Sequence, residues 1–220
     1  MFQSFFSLFL KSPCPLCHRL SDNIICHDCQ ARLKSCQLRK PKRFWRGELP
    51  LFAWGSYQGT LKRAIASLKY ERHIQLAQPL GYSLGQAWLN AAPLKQSKVL
   101  VIPIPMHPEK EMERGFNQAE LLGKSFCRIT GLPWQASGLE RVRNTLPMFS
   151  LNPNQRQQNI ASAFRLGKSF RRRLPRLPVL LVDDIYTTGA TAKAAAQTLE
   201  KQGIRVIGIV ALATSSQDKK

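Results

Sequence analysis

Acidic side chains are scarce in this chain of 220 residues: 13 Asp plus Glu face 33 Lys plus Arg, which leaves a formal net charge of +20. The shortage is uneven, because residues 99–150 are close to neutral and the positive excess lies on either side of them. Any apolar run long enough to cross a bilayer is also missing; the longest runs are strand-sized. No basic residue precedes the apolar part of MFQSFFSLFLK at the front, and no small-residue cleavage site follows it, so a secretory signal is not expected. Those residues are expected either to cap a core or to touch a membrane face. There is no internal repeat. Hydrophobic residues at 44% and charged residues at 21% exclude a disordered or collagen-like chain. They leave one globular domain of ordinary size, with room for a small attached module.

The densest basic run spans Gln30 to Arg46, with seven basic residues, no acid, and Phe44 and Trp45 inside it. Basic charge binds phosphate through counterion release, and aromatic faces can stack on unpaired bases. The same run also reads as a solvated linker. A second run, Lys168 to Arg176, precedes an apolar strand and is expected to be an exposed loop.

The cysteines number six. Without an export signal they are expected in the reducing cytoplasm, where disulfides are rare and paired cysteines suggest metal. Four of them form CPLC (Cys14, Cys17) and CHDC (Cys26, Cys29), a C-x2-C-x8-C-x2-C pattern. Two C-x-x-C hairpins can complete a tetrahedron around Zn²⁺ with no open position, which makes the expected site structural. His18 and His27 flank these ligands as weaker candidates. Cys36 and Cys127 have no paired partner and are expected to pack. Pro41, Gly47 and Pro50 place a boundary near residue 46. The expected organisation is a zinc knuckle with a basic linker over 1–46 and a second unit over 47–220.

Along that second unit, a strand at Ala53–Tyr57 precedes a helix from Thr60, whose Leu61, Ala64, Ile65 and Leu68 share one face. A helical stretch over Ile74–Trp88 is expected to break near Pro79. KVLVIPIP, Lys98 to Pro105, reads as a buried parallel strand. A helix ends at Gly131, and short strands at 139–146 and 163–166 flank an Asn- and Gln-rich loop. VLLVDD, a helix and RVIGIVALA close the chain. Alternating strands and helices predict an α/β fold with a mostly parallel sheet.

The decisive segment is VLLVDDIYTTGAT, Val179 to Thr191. A buried strand delivers Asp183 and Asp184 at its carboxyl end, where ligands of open α/β sheets bind. Backbone N–H groups of Thr187 to Thr191 can converge on an anion at a helix N-terminus, with Gly189 permitting close approach. Thr187, Thr188 and Thr191 add hydroxyls. Two carboxylates beside a phosphate cradle are explained by the vicinal hydroxyls of a ribose with Mg²⁺ nearby. The order strand, DD, TTGAT, helix therefore reads as a site for ribose plus 5′-phosphate.

Val179 to Thr191, with Tyr186 and Ala190 inside it, resembles the phosphoribosyl pyrophosphate signature of type I phosphoribosyltransferases. Together with CPLC, CHDC and ERGFNQAELLGK (Glu113 to Lys124), it makes the chain resemble the competence protein F (ComF/GntX) family over nearly its whole length. The resemblance implies that IPIPMH, with Pro103, Ile104 and Pro105, is a pyrophosphate loop whose backbone amides hold the donor's diphosphate. It implies that Arg114 and Asn117 of RGFNQ lie near the site, and that Lys69 of LKYER faces the pocket. Arg156 and Asn159 match an R-x-x-N element at a flexible lid; Met148 departs from the family, which usually has Gln there. His107 is a weaker candidate base, and Glu109, Glu111 and Glu113 read as a solvated run. Two functions follow as expectations. One is a competence factor, acting in DNA uptake with the competence machinery, that binds phosphoribosyl pyrophosphate and single-stranded DNA. The other is an active phosphoribosyltransferase whose acceptor the residues do not identify.

Overall fold

The computed structural model describes residues 11–91, 98–143 and 163–215. In chain order the first elements are β1 (Ser12–Pro13), β2 (Leu20–Ser21), α1 (His27–Ser35), β3 (Leu51–Ser56), α2 (Gly59–Tyr70) and α3 (Ala77–Ala91). Next come β4 (Leu100–Pro103), α4 (Pro108–Arg114), α5 (Gln118–Thr130), β5 (Leu139–Arg141) and β6 (Phe164–Leu166). The last are α6 (Lys168–Arg172), β7 (Val179–Tyr186), α7 (Ala190–Glu200) and β8 (Val206–Thr214). Four parallel strands form the central sheet in the order β3-β8-β7-β4. The expected α/β architecture is therefore present.

Strand alternation divides the core. Leu180 and Val182 of β7 face one side with Phe52, Val101 and Leu212, where α2, α3 and α5 cover them. Val179 and Leu181 face the other side with Ile102, Ile209 and the alanine-rich face of α7. Because both faces are covered, the strands read as unbroken aliphatic runs rather than alternating ones. The stripe read on α2 is confirmed, with Leu61, Ala64, Ile65 and Leu68 fully buried. On α3, a Cβ on Gly81 would stand 2.6 Å from the Leu122 carbonyl oxygen, so this glycine lets α3 and α5 approach closely.

Three local expectations are corrected. Pro79 does not interrupt a helix; it sits in the first turn of α3, where a missing N–H costs nothing. The run Lys168–Arg176 is not all loop, since its first five residues form α6 and bury Phe170. The basic run Gln30–Arg46 is not a free linker either. Gln30 to Ser35 belong to α1, and the next residues run beside β3: Leu38 N–H donates to the Trp54 carbonyl at 2.9 Å and Ser56 N–H to the Cys36 carbonyl at 2.9 Å. Leu16, Ile25 and Leu33 of the cysteine-bearing segment join the same core as Trp54 and Leu61.

Candidate functional site

The β1–β2 hairpin carries Cys14 and Cys17, and the start of α1 carries Cys26 and Cys29. Their four Sγ atoms all lie within 4.8 Å of one another. Sulfurs about 2.3 Å from a tetrahedral Zn²⁺ stand roughly 3.8 Å apart, so the donor set fits that ion. His18 adopts φ 62° to turn the chain out of the first hairpin. Among the described residues neither it nor His27 joins the sulfur cluster. Burial opposes the Cys14 thiolate, but the N–H groups of Cys26 and Leu16 and the neighbouring thiols outweigh it and bring its pKa down to about 7. Burial, then the adjacent sulfurs, pushes Cys29 up. Four packed sulfurs ionise together only when a cation joins them, which is the chemistry of a structural zinc centre. Cys36 and Cys127 are buried, as expected; burial alone holds the Cys127 thiol up at about 12, which leaves it unreactive.

The carboxyl ends of β4 and β7 make the second constellation. Asp184, with its side chain 5% exposed, is ion-paired with Lys69 from the last turn of α2. Gln118 at the start of α5 donates from Nε2 to Asp184 Oδ1 at 3.4 Å, and Arg114 donates to Gln118 Oε1 at 2.6 Å. The two acids are thus not equivalent. Asp184 closes an internal network, and it is Asp183 that stays partly open; its Oδ1 accepts from Asp184 N–H at 2.8 Å. Burial, then the charge of Asp184, raises the Asp183 carboxyl well above the usual carboxylate range. Burial lowers the Arg141 guanidinium below its usual range, and the charge of Asp183 opposes that shift. The reading of two carboxylates that clasp a sugar together is corrected accordingly: Asp184 is turned inward by Lys69.

Beyond β7 the backbone turns through Thr187 and Thr188, both exposed, to Gly189 at φ 76°. A Cβ there would stand 2.1 Å from the Tyr186 hydroxyl oxygen, so glycine is demanded twice over, by the left-handed conformation and by the tyrosine ring packed on it. Ala190 N–H reaches Thr188 Oγ1 at 3.4 Å. The N–H groups of Thr187, Thr188, Gly189 and Thr191 meet no acceptor among the described residues.

The stretch at the end of β4 behaves differently from its expectation. Pro103 and Pro105 have no N–H, and Ile104 N–H donates to the Val182 carbonyl at 2.9 Å as part of the sheet. None of the three can hold a diphosphate through an amide; the amides left in this loop are those of Met106 and His107. Asn117 is buried and structural, with Oδ1 capping α5 at Ala119 N–H and Nδ2 donating to the Ile104 carbonyl at 3.0 Å, so it fixes the loop. A cavity of about 670 Å³ beside this loop is lined by Met106, His107, Asn117, Glu111 and Arg141. A second of about 810 Å³ lies between α1 and α3, away from the carboxylates. Arg156, Asn159 and Met148 lie outside the described residues. Gln118 and Arg141 are additions to the set read from the sequence. Gln118 stands inside RGFNQ, whereas nothing local marks Arg141.

In the basic run, Arg32, Lys34, Arg39, Lys40, Lys42 and Arg46 are exposed. Its aromatics are committed elsewhere. Arg43 covers Phe44 at 4.4 Å from the ring centre, and Trp45 packs edge-on against Trp88 at 5.8 Å.

No family model matches the chain. Among curated proteins it is 31% identical over 161 residues to Competence protein F of Haemophilus influenzae, covering 72% of this chain and 70% of the relative. It is 30% identical over 177 residues to DNA utilization protein YhgH of Salmonella typhimurium, covering 78% and 73%. It is 27% identical over 199 residues to Competence protein ComFC of Bacillus subtilis, covering 86% and 72%.

Proposed function

The chain belongs to the competence protein F family, and from that membership and the crevice geometry we propose that it acts in DNA uptake and utilization, with a crevice for phosphoribosyl pyrophosphate and a basic surface for single-stranded DNA. Competence and DNA utilization are what the relatives' names carry. The observation that supports the crevice is the set of amides at Thr187, Thr188, Gly189 and Thr191, which meet no acceptor among the described residues, at the N-terminus of α7 with Asp183 beside it. Those N–H groups and the Thr hydroxyls bind the 5′-phosphate, and the helix dipole favours its charge. Asp183 accepts from the ribose hydroxyls. Burial and the neighbouring Asp184 raise the Asp183 carboxyl, and hydroxyl donors or Mg²⁺ would draw it back down. Mg²⁺, when bound, neutralises the donor's diphosphate, and Asp183 is the residue on this side that would meet it. Met106 and His107 amides face the diphosphate from the end of β4. Among the described residues no helix is long and apolar enough to cross a membrane; our reading places the protein in the cytoplasm.

Turnover is a second reading, favoured by the meeting of both strand ends at one crevice. The C1–oxygen bond to pyrophosphate would break with the electron pair leaving on pyrophosphate, and an acceptor nucleophile would bond to C1 and lose its proton. Pyrophosphate release screened against bases, amines and single-stranded DNA tests it; release with none of these leaves a binding protein.

For the nucleic-acid half, titration with a labelled single strand tests the surface. Affinity should fall at least about tenfold between about 50 and 200 mM salt, and Lys40→Ala with Lys42→Ala should lower the logarithmic salt slope by roughly 1.4. Absent or salt-independent binding would remove single-stranded DNA from the proposal.

A further inference from the structure

Tyr70 is a large aromatic residue left 75% exposed at the end of α2, next in sequence to the Lys69 that pairs with buried Asp184. Its ring is not loose. The Arg114 guanidinium carbon stands 5.6 Å from the ring centre, and Arg114 is itself held by Gln118, the residue bonded to Asp184. A second tie braces the same corner. Arg72 adopts φ 58°, an uncommon conformation for a residue with a side chain, and its guanidinium donates to the Glu113 carbonyl at 3.1 Å. This joins the end of α2 to the end of α4. Ile74 and Met112, on the segments so joined, are 53% and 84% exposed. Aromatic and apolar surface interleaved with guanidinium groups suits the face of an unpaired nucleobase. The basic run offers no such surface, since Phe44 and Trp45 are partly buried and packed against the core, whereas Tyr70 stands in solvent.

We propose that Tyr70 and Arg114 form a stacking platform that receives an unpaired nucleobase at the mouth of the crevice. This rests on the nucleic-acid reading above and names the surface that carries it. A base stacked on the Tyr70 face away from Arg114 completes a sandwich with the ring between base and guanidinium, while the strand's phosphates remain with the exposed basic side chains. The line Tyr70, Arg114, Gln118, Asp184 couples the platform to the carboxylates through two hydrogen bonds and one ring contact.

The test compares three probes by anisotropy or competition: an oligothymidylate, an abasic strand of the same length, and free thymidine monophosphate. Wild-type protein should bind the base-bearing strand about 5- to 150-fold tighter than the abasic one, the factor that base–aromatic stacking supplies. Tyr70→Ala should erase that preference while keeping the abasic affinity and the affinity for phosphoribosyl pyrophosphate. Tyr70→Phe should retain it. The ring is exposed, so the melting temperature should not change and folding does not confound the comparison. Competition by the free nucleotide that depends on Tyr70 assigns the base to a soluble ligand; competition by the strand alone assigns it to DNA, and either supports the platform. Equal binding of the two strands by wild type, or an undiminished preference in Tyr70→Ala, overturns the platform alone. Binding of neither strand overturns the nucleic-acid reading and the platform with it.

Discussion

Asp183→Asn should abolish binding of phosphoribosyl pyrophosphate without weakening the fold. In the free protein Asp183 is desolvated beside Asp184, and its carboxyl is raised well above its ordinary value of 3.8. A carboxyl raised on folding binds its proton more tightly in the native state. Its contribution to stability is therefore complete below the unfolded value and is lost as pH rises through the folded one. Asn removes that penalty, so at neutral pH the variant should melt at the same temperature as wild type or higher, and its stability should depend less on pH above about 4. Asp184→Asn should behave in the opposite way. It strands the Lys69 ammonium, 15% exposed, without its counter-charge, and breaking such a pair costs about 3–5 kcal/mol. Calorimetric titration and thermal melts of the two variants separate the roles. A ligand affinity in Asp183→Asn equal to that of wild type contradicts the assignment, and so does a stable Asp184→Asn with an unstable Asp183→Asn.

The four clustered sulfurs fit a structural zinc, and chelation should then have a comparably large effect on the whole molecule. A structural zinc held by four thiolates contributes on the order of 10–16 kcal/mol to the module that it closes. Leu16, Ile25 and Leu33 bury against Trp54 and Leu61, so loss of the knuckle opens the edge of the main core as well. Treatment with a strong chelator should release one equivalent of zinc, lower the melting temperature by at least about 10 °C and shift tryptophan emission to the red. Cys14→Ser should do the same without chelator. An unchanged melting curve after the metal has left would show that the cluster holds nothing the fold needs.

The legible parts of the chain were those whose chemistry is local. Val179 to Thr191 announces a buried strand, a turn with a compulsory glycine and a helix within thirteen letters, and each piece stands where its pattern places it. The cysteine pairs were equally direct, since the spacing itself names the donor set. Pro79 misled because a proline ends a helix only from its interior; in the first turn it is at home. The letters of the IPIP loop already limit it, because proline has no amide hydrogen to offer, and the fold spends Ile104 on the sheet. What no local pattern reveals is the link of Lys69 to Asp184 across 115 positions, or the approach of Arg141 to Asp183. The link depends on the fold that brings the ends of α2 and β7 together, and Arg141 lies on β5, outside the four-stranded sheet. That tertiary arrangement is also what turns Asp184 inward and leaves Asp183 partly exposed.

The proposed grip of the Thr187 to Thr191 backbone on a phosphoryl group is read amide by amide in NMR spectra of the ¹⁵N-labelled protein. Titration with phosphoribosyl pyrophosphate and Mg²⁺ should move the resonances of Thr187, Thr188, Gly189 and Thr191 most, with Met106 and His107 following and the zinc knuckle silent. If those four amides stay where they are while the ligand binds, or if no ligand binds at all, the crevice is not the phosphate site.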